Sequence, residues 1–365
     1  YHISGLSFGG TEKFLQIVAK FLNKEKYEVF FMYSSKKRNN STNENDGRIE
    51  YLKEKGVNLI DFEFDSFEKK YPYYFKNMTP NITDVINDNN IDLLVTATDG
   101  HTEFPINMIR DIPIVLINIF GAPNLQKNII KNVCISKEVA SKIRGIVPQK
   151  KIGVIYIPSE EPAKEALELG KKLRNDFNIK ETDLVFGRIG RADDTIFDPI
   201  GINAFKLTVM KYPNSHYIIM SPPPILVELV NKERIHNVHF LPPSSRELDI
   251  WTFHNAIDVL AHFRKDGESC GLNIAESMLC SKPIISHKSM IWNAHLEYLA
   301  SDFSRIADVD NIDQYAGYME EMLNLKKCSK LELMGAKAKD VAQGLFLINN
   351  SIHKFENIID SAFLK

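Results

Sequence analysis

The chain has 365 residues, 44% hydrophobic and 25% charged, which is enough apolar mass for two ordinary globular domains. Lys and Arg total 45 against 47 for Asp and Glu, so the charge balance offers no polyanion-binding surface and argues against nucleic acid as a partner. No apolar run reaches the length a transmembrane helix needs.

The opening stretch, YHISGLSFGG, carries neither Met nor a signal peptide. It reads as the tail of a strand entering a Gly-rich turn, with earlier residues expected upstream of Tyr1. In TEKFLQIVAKFLNK, the side chains Phe14, Ile17, Val18, Phe21 and Leu22 repeat at helical spacing and predict one apolar helix face. YEVFFMYSS (27–35) predicts a buried strand, and KKRNNSTNENDGR (36–48) a polar, low-complexity, mobile loop. IDLLVTAT (91–98), IPIVLINIF (112–120) and KNVCIS (131–136) predict three more strands. Their apolar runs lack polar alternation, which implies a parallel sheet covered by helices on both faces.

A boundary falls in 152–183, where a strand ends at Pro158 and a charged stretch of helical pattern follows. The βα alternation then restarts with LVFGRIG (184–190), SHYIIMSP (215–222), VHFLPP (238–243), AIDVLAHF (256–263) and KPIISH (282–287). The remainder is helical apart from a break near Asn349–Asn350. The economical reading is α/β, with two doubly wound, Rossmann-like parallel-sheet domains at 1–158 and 159–345 and a terminal helix at 346–365.

The most informative stretch is DGESCGLNIAESMLCSKPIIS (266–286). AIDVLAHF should be a parallel strand and LNIAESML the helix after it. In open α/β folds ligands sit at the carboxyl ends of strands, where the next helix begins. Gly271 lets backbone approach a ligand, and the free N–H groups around Cys270, Gly271 and Leu272 can bind an anion such as a diphosphate. Glu268 precedes the helix on the ligand side. Glu276 lies about a turn into it. Like charge keeps acids off phosphate, but they accept hydrogen bonds from hydroxyls, so the pair is legible as a grip on a nucleotide sugar. Helix dipoles also favour acids near any helix start, so the spacing alone reads first as two surface glutamates, and it is the surrounding pattern that favours the grip.

These residues resemble the E-x7-E signature of retaining glycosyltransferases of family 4, in the GT-B superfamily. Glu268, Gly271, Leu272, Glu276, Met278 and Pro283 fall in register, while Cys270 replaces the usual aromatic, Ser277 the usual Ala and Ser281 the usual Gly. LVFGRIG looks like the family's V-G-R-L turn, GLSFGGTEKFLQIVAKFL like its Gly-Gly-x-E loop and first helix, and VHFLPPSSRELDIWTFHNAIDVLAHF like its V-x-F-x-G segment and the strand before the glutamates. KNVCISKEVASKI matches the strand and Ser that close the N-terminal domain. The matches keep family order from residue 5 to about 290.

The resemblance implies two Rossmann-like domains facing a cleft, with the acceptor on the first and the donor nucleotide mainly on the second. It also implies a final helix that crosses back to the first. Gly9 and Gly10 would approach the donor diphosphate, Arg188 would neutralise its growing charge, Glu268 would contact the transferred sugar, and Glu276 the ribose. Backbone near Phe240 and Leu241 would hold the base. The implied reaction is transfer of a sugar from a nucleotide diphosphate to a glycan, polysaccharide precursor or lipid-linked saccharide, with retention of configuration. A UDP-sugar is favoured over a GDP-sugar, and no metal or other cofactor is expected.

Two departures stand out. The family's Lys a few residues after the Arg is missing from GRIGRADDTIFDP, leaving Arg191 or Lys265 as substitutes. The family's His after an N-terminal strand is Phe120–Gly121 here, and His101 in TDGHTEFP is the candidate to fill that space. An epimerase of the same fold, or a silent nucleotide- or glycan-binding module, are the alternatives. RADD (191–194) and DVD (308–310) read as solvated turns rather than metal sites, and no HExxH or G-x-S-x-G occurs. The four cysteines, with no CxxC, read as free thiols in a cytoplasmic protein. YPYYF (71–75) reads as hydrophobic packing with sugar stacking as the alternative, and KKYPYYFK as a candidate for peripheral membrane contact.

Overall fold

The computed structural model describes the chain except residues 4–5, 7–8, 35–44, 72, 74–79, 245 and 364–365, with backbone alone at 45–47. It divides into two compact units, Tyr1–Glu160 with Phe346–Lys365, and Glu161–Leu345.

The first unit contains α1 (Gly10–Phe21), β1 (Phe30–Tyr33), α2 (Asn45–Lys53), β2 (Asn58–Asp61), α3 (Asp65–Lys70), α4 (Ile82–Asp88), β3 (Leu94–Thr98), β4 (Ile114–Asn118), β5 (Ile129–Cys134), α5 (Lys137–Ile143) and β6 (Ile152–Val154). Strands β3 to β6 pair in sequence order, all parallel, and β1 pairs with β2. Tyr1–Ile3 supplies the link, since His2 bridges both Met32 and Thr96 in parallel. The opening residues therefore occupy a strand position, as their sequence suggests. All five residues of β4 are buried, the signature of a sheet covered on both faces. In α1 every residue from Lys13 to Ala19 is buried, so the predicted stripe widens to most of the circumference.

The second unit contains α6 (Ala166–Asp176), β7 (Leu184–Ile189), α7 (Ile200–Lys211), β8 (Ser215–Met220), α8 (Pro224–Lys232), β9 (Val238–Leu241), α9 (Glu247–Ala256), β10 (Val259–Ala261), β11 (Gly267–Glu268), α10 (Leu272–Leu279), β12 (Ile284–His287), β13 (Trp292–Asn293), β14 (Ser304–Ala307), α11 (Ile312–Lys327) and α12 (Leu331–Phe346). Its six-stranded sheet runs β14-β12-β10-β7-β8-β9, and every pair is parallel. From β7 the chain winds outward through β8 and β9, then returns to the other side of β7 to lay down β10, β12 and β14. The strand order thus reverses between β7 and β10, and the carboxyl ends there form the crevice where such sheets hold ligands. The last helix, α13 (Ile348–Asp360), belongs to the first unit.

Four details differ from the sequence reading. Residues 36–44 of the proposed loop lie outside the described residues, but 45–48 belong to α2. The strand expected to reach Pro158 stops at Val154, because its neighbour β5 ends at Cys134 and pairing runs out. The helical break falls at Leu347 rather than Asn349–Asn350. There Ser159 N–H donates to Phe346 O (2.7 Å) and Ile348 N–H to Ser159 O (3.0 Å), a bridge that replaces helical bonding. Finally β2 and β14 went unpredicted, since NLID and SRIA mix polar and apolar residues at sheet positions near or on an edge. Of YPYYF, Tyr71 packs in the core and its hydroxyl donates to Asp88 (3.0 Å), while Pro72, Tyr74 and Phe75 lie outside the described residues, as does Lys76 of KKYPYYFK. Among the described residues, no helix is long and apolar enough to cross a membrane.

Candidate active site at the strand-order reversal

Arg188 is the penultimate residue of β7, beside the reversal point. It is only 2% exposed, yet its Nε and Nη1 are buried with no hydrogen-bond partner among the described residues. Burial pushes the guanidinium down to about 10, against the pull of Tyr217 and Glu268, so it remains a cation at neutral pH. The Phe263 ring lies 5.1 Å from the guanidinium carbon, a cation–π contact. A buried cation with idle donors is costly for the free protein and is the arrangement that an incoming anion relieves.

Across the reversal, the segment after β10 is folded tightly. Arg264 makes a bidentate pair with Asp266 (2.6 and 2.8 Å) and approaches Glu268 Oε2 at 3.7 Å. Glu268, 8% exposed, lies 3.2 Å from His262 Nε2 through Oε1. Burial would raise its carboxyl, but His262, Arg264 and His295 outweigh that and hold it below the usual carboxylate range. Glu268 is therefore a buried, ionised acid.

The loop that carries it is pinned by β13. Trp292 N–H donates to Asp266 O (3.0 Å), Ser289 Oγ to Lys265 O (3.1 Å), and Asn293 Oδ1 accepts from Ser289 N–H (2.8 Å). This close approach requires a glycine at 267, where φ is +69° and a Cβ would lie 1.8 Å from Trp292 O. Gly267→Ala is expected to cost about 2–4 kcal/mol. A thermal melt checks it, and nucleotide-sugar turnover should fall with it because Glu268 is the next residue.

Helix α10 spans the predicted LNIAESML and starts on Gly271, whose left-handed φ of +85° turns the chain into the helix. Tyr298 donates its hydroxyl to Cys270 O (2.6 Å), and Asn273 Nδ2 donates to Ile189 O (2.7 Å), tying the helix start to the end of β7. The first turn holds no acidic residue, and Asn273 Oδ1 takes the Ile274 N–H (3.0 Å). As at any helix start, the N–H groups of Leu272 and Asn273 have no carbonyl one turn back. A permanent cation, a helix N-terminus and an ionised carboxylate thus share one end of the sheet.

The other expected residues fall as follows. Phe240 lies on edge strand β9 in the same register row as Arg188, through Ile219, and Leu241 follows it. Two strand spacings separate them from Arg188, about 10 Å. Lys265 is exposed in the Glu268 loop. Arg191 is exposed, with Asp193 at 4.0 Å. Glu276 is 4% exposed, with Oε2 3.7 Å from His254 Nε2. Gly9, Gly10 and His101 belong to the first unit. Gly9 caps α1, Gly10 is its first residue, and His101 is exposed with Nδ1 2.8 Å from Asp99. The sequence reading missed His262, Arg264, Gly267, Asn273 and Tyr298. Only Gly267, beside Glu268 in DGES, carried a local signal.

Among the described residues, no three His, Cys, Asp or Glu side chains are grouped to hold a metal ion. All four cysteines are free.

Residues 171–341 match the family model of glycosyl transferases group 1. That span contains β7 to α11 and most of α12, with Arg188, Glu268 and α10 inside it. Comparison with curated proteins gives no significant match. Among solved structures, a glycosyltransferase from Rickettsia africae aligns with a TM-score of 0.75 at 14% identity, covering 99% of this chain and 97% of its own. Anabaena HepE in complex with UDP-glucose aligns at 0.74 and 16% identity, covering 99% and 98%. WaaG, a glycosyltransferase involved in lipopolysaccharide biosynthesis, aligns at 0.67 and 11%, covering 98% of each chain. The fold is GT-B, and the stretch that matches the glycosyl transferases group 1 model lies within the second unit.

Proposed function

We propose that the protein is a retaining glycosyltransferase of family 4 that takes a sugar from a nucleotide diphosphate, a UDP-sugar before a GDP-sugar. The acceptor class is a glycan, polysaccharide precursor or lipid-linked saccharide, and the setting is cytoplasmic. The observation that carries the reading is Arg188, a buried guanidinium with two idle donors beside the start of α10. Both features suit a diphosphate whose charge grows as the sugar leaves. UDP-glucose bound to Anabaena HepE, a protein of the same fold, supports the donor class.

In this reading the diphosphate lies against Arg188 and the N–H groups of Leu272 and Asn273, and Gly271 keeps the approach open. The edge of β9 at Phe240 and Leu241 takes the base, and Glu276 accepts the ribose hydroxyls. Glu268 faces the transferred sugar, where an ionised acid accepts hydroxyl hydrogen bonds and stabilises positive charge at the anomeric carbon. Lys265 and Arg191 are the nearby exposed cations for the outer phosphate. The acceptor hydroxyl attacks from the face the diphosphate leaves, and a leaving phosphate oxygen takes its proton.

Glu268→Gln keeps shape and volume but removes the charge. It is expected to lower sugar transfer or donor hydrolysis about 10²–10³-fold while UDP binding changes little. Nucleotide release and calorimetric UDP binding check the two halves. One observation favours a silent binding module instead, since Arg191 is exposed beside Asp193 and no Lys follows Arg188 as a second clamp. Tight UDP binding without turnover of any sugar nucleotide would select that alternative.

A further inference from the structure

Resting on the donor-site reading of Glu268, we propose that His262 is its positioning residue, facing Oε1 through Nε2 and fixing which carboxylate oxygen is offered to the transferred sugar. His262 follows directly on β10 and is 3% exposed. Its backbone is clamped on both sides, N–H to Ile285 O (2.8 Å) and C=O from the Tyr315 hydroxyl (2.9 Å). The ring therefore has little freedom except rotation about its own side-chain bonds.

Neighbouring groups leave this contact to His262. Arg264 N–H donates to His287 Nε2 (3.1 Å), so the His287 proton sits on Nδ1 and goes to Lys288 O (2.8 Å). That makes His287 neutral, and its Nε2 offers no proton to Asp198, 3.8 Å away. His295 donates from Nε2 to His287 O (3.1 Å), and burial pushes it down to about 4. Arg264 is already committed to Asp266 and reaches Glu268 only at 3.7 Å, on the other oxygen. Arg188 acts on Glu268 by charge alone. Among the described residues, only His262 brings a ring nitrogen to Oε1.

The contact is close but poised. Nε2 and Oε1 are 3.2 Å apart without a formed hydrogen bond, and Nδ1 has no hydrogen-bond partner among the described residues. A small ring rotation completes it, as happens when sites tighten around substrate. With His262 in place Glu268 stays ionised despite burial. Removing the imidazole lets burial raise the carboxyl, so the acid limb of activity moves to higher pH.

The test uses His262→Leu, which removes the donor, and His262→Gln, which keeps an N–H near the Nε2 position. UDP-glucose hydrolysis is followed against pH, and the Glu268 carboxyl is titrated by carbon-13 NMR, assigned through Glu268→Gln. In His262→Leu both the acid limb and the NMR titration should shift up by about one pH unit, a tenfold change in proton affinity. His262→Gln should return both close to their native positions, and if His262→Leu does not fold, His262→Met, which also lacks the donor, takes its place. A merely structural role would lower activity at every pH and leave the limb in place. An unmoved limb and titration, with Glu268→Gln inactive, overturn this inference alone. Full activity in Glu268→Gln overturns the donor-site reading and this inference with it.

Discussion

Arg188→Met is expected to abolish turnover while leaving the ligand-free protein at least as stable. The guanidinium is 2% exposed with Nε and Nη1 unsatisfied, so the folded protein bears the cost of desolvating a cation it does not pair. Methionine fills similar length with no charge, and exchanging poorly compensated buried charge for apolar volume commonly stabilises by about 1–3 kcal/mol. The cation–π contact with Phe263 offsets part of that gain. Turnover should fall at least about a hundredfold, since the variant lacks the donor that meets charge on the departing diphosphate. Arg188→Lys should not rescue it, because a point charge cannot reproduce the planar fork. A melting curve beside a donor-hydrolysis assay reads both effects. Loss of stability with unchanged turnover would make Arg188 a structural cation instead.

The opposite behaviour is expected at Asp258, before β10. Its carboxylate takes Arg174 Nη1 at 3.0 Å, Lys326 Nζ at 2.8 Å and the Val185 N–H at 2.8 Å, joining α6, α11 and β7. Burial would raise this carboxyl, but the two cations and the hydrogen bonds hold it below its ordinary value. Asp258→Ala leaves Arg174 and Lys326 without their shared counter-charge and should cost about 3–5 kcal/mol. A unit of this size would then melt about 10 °C lower. Because the folded carboxyl is depressed, its contribution is present above the unfolded value near 4 and is lost as pH falls through the lower folded value. The variant should therefore lack that part of the acid transition. The substitution sits at the amino end of β10, away from Arg188, so the residual folded protein should keep its turnover.

How much was legible depends on whether a residue acts locally. Helix α10 was readable to its ends because Gly271 and the apolar repeat of LNIAESML are local signals. Buried parallel strands announce themselves by unbroken apolar runs, as in β4 and β7, where every residue is buried. Family resemblance then marked Arg188 and the two glutamates. What it could not mark is the support around them. His262 sits at the end of a predicted strand and has no motif of its own, and its importance arises only when the fold brings Glu268 to 3.2 Å. Tyr298 reaches Cys270 across 28 residues, and Asn273 reaches Ile189 across 84. The burial of Glu276 against His254 was equally invisible, since α9 and α10 meet only in the folded unit. Strand β2 was missed because pairing with β1, not composition, makes NLID a strand.

The central claim is tested most directly by UDP release from UDP-glucose, with GDP- and ADP-glucose alongside, by the intact protein, Arg188→Met and Glu268→Gln. UDP affinity is measured for each by calorimetry. The account predicts slow hydrolysis of one sugar nucleotide by the intact protein and its loss in both variants. UDP binding should weaken in Arg188→Met and stay close to native in Glu268→Gln. Absence of any nucleotide binding by the intact protein, or hydrolysis indifferent to both substitutions, would contradict it.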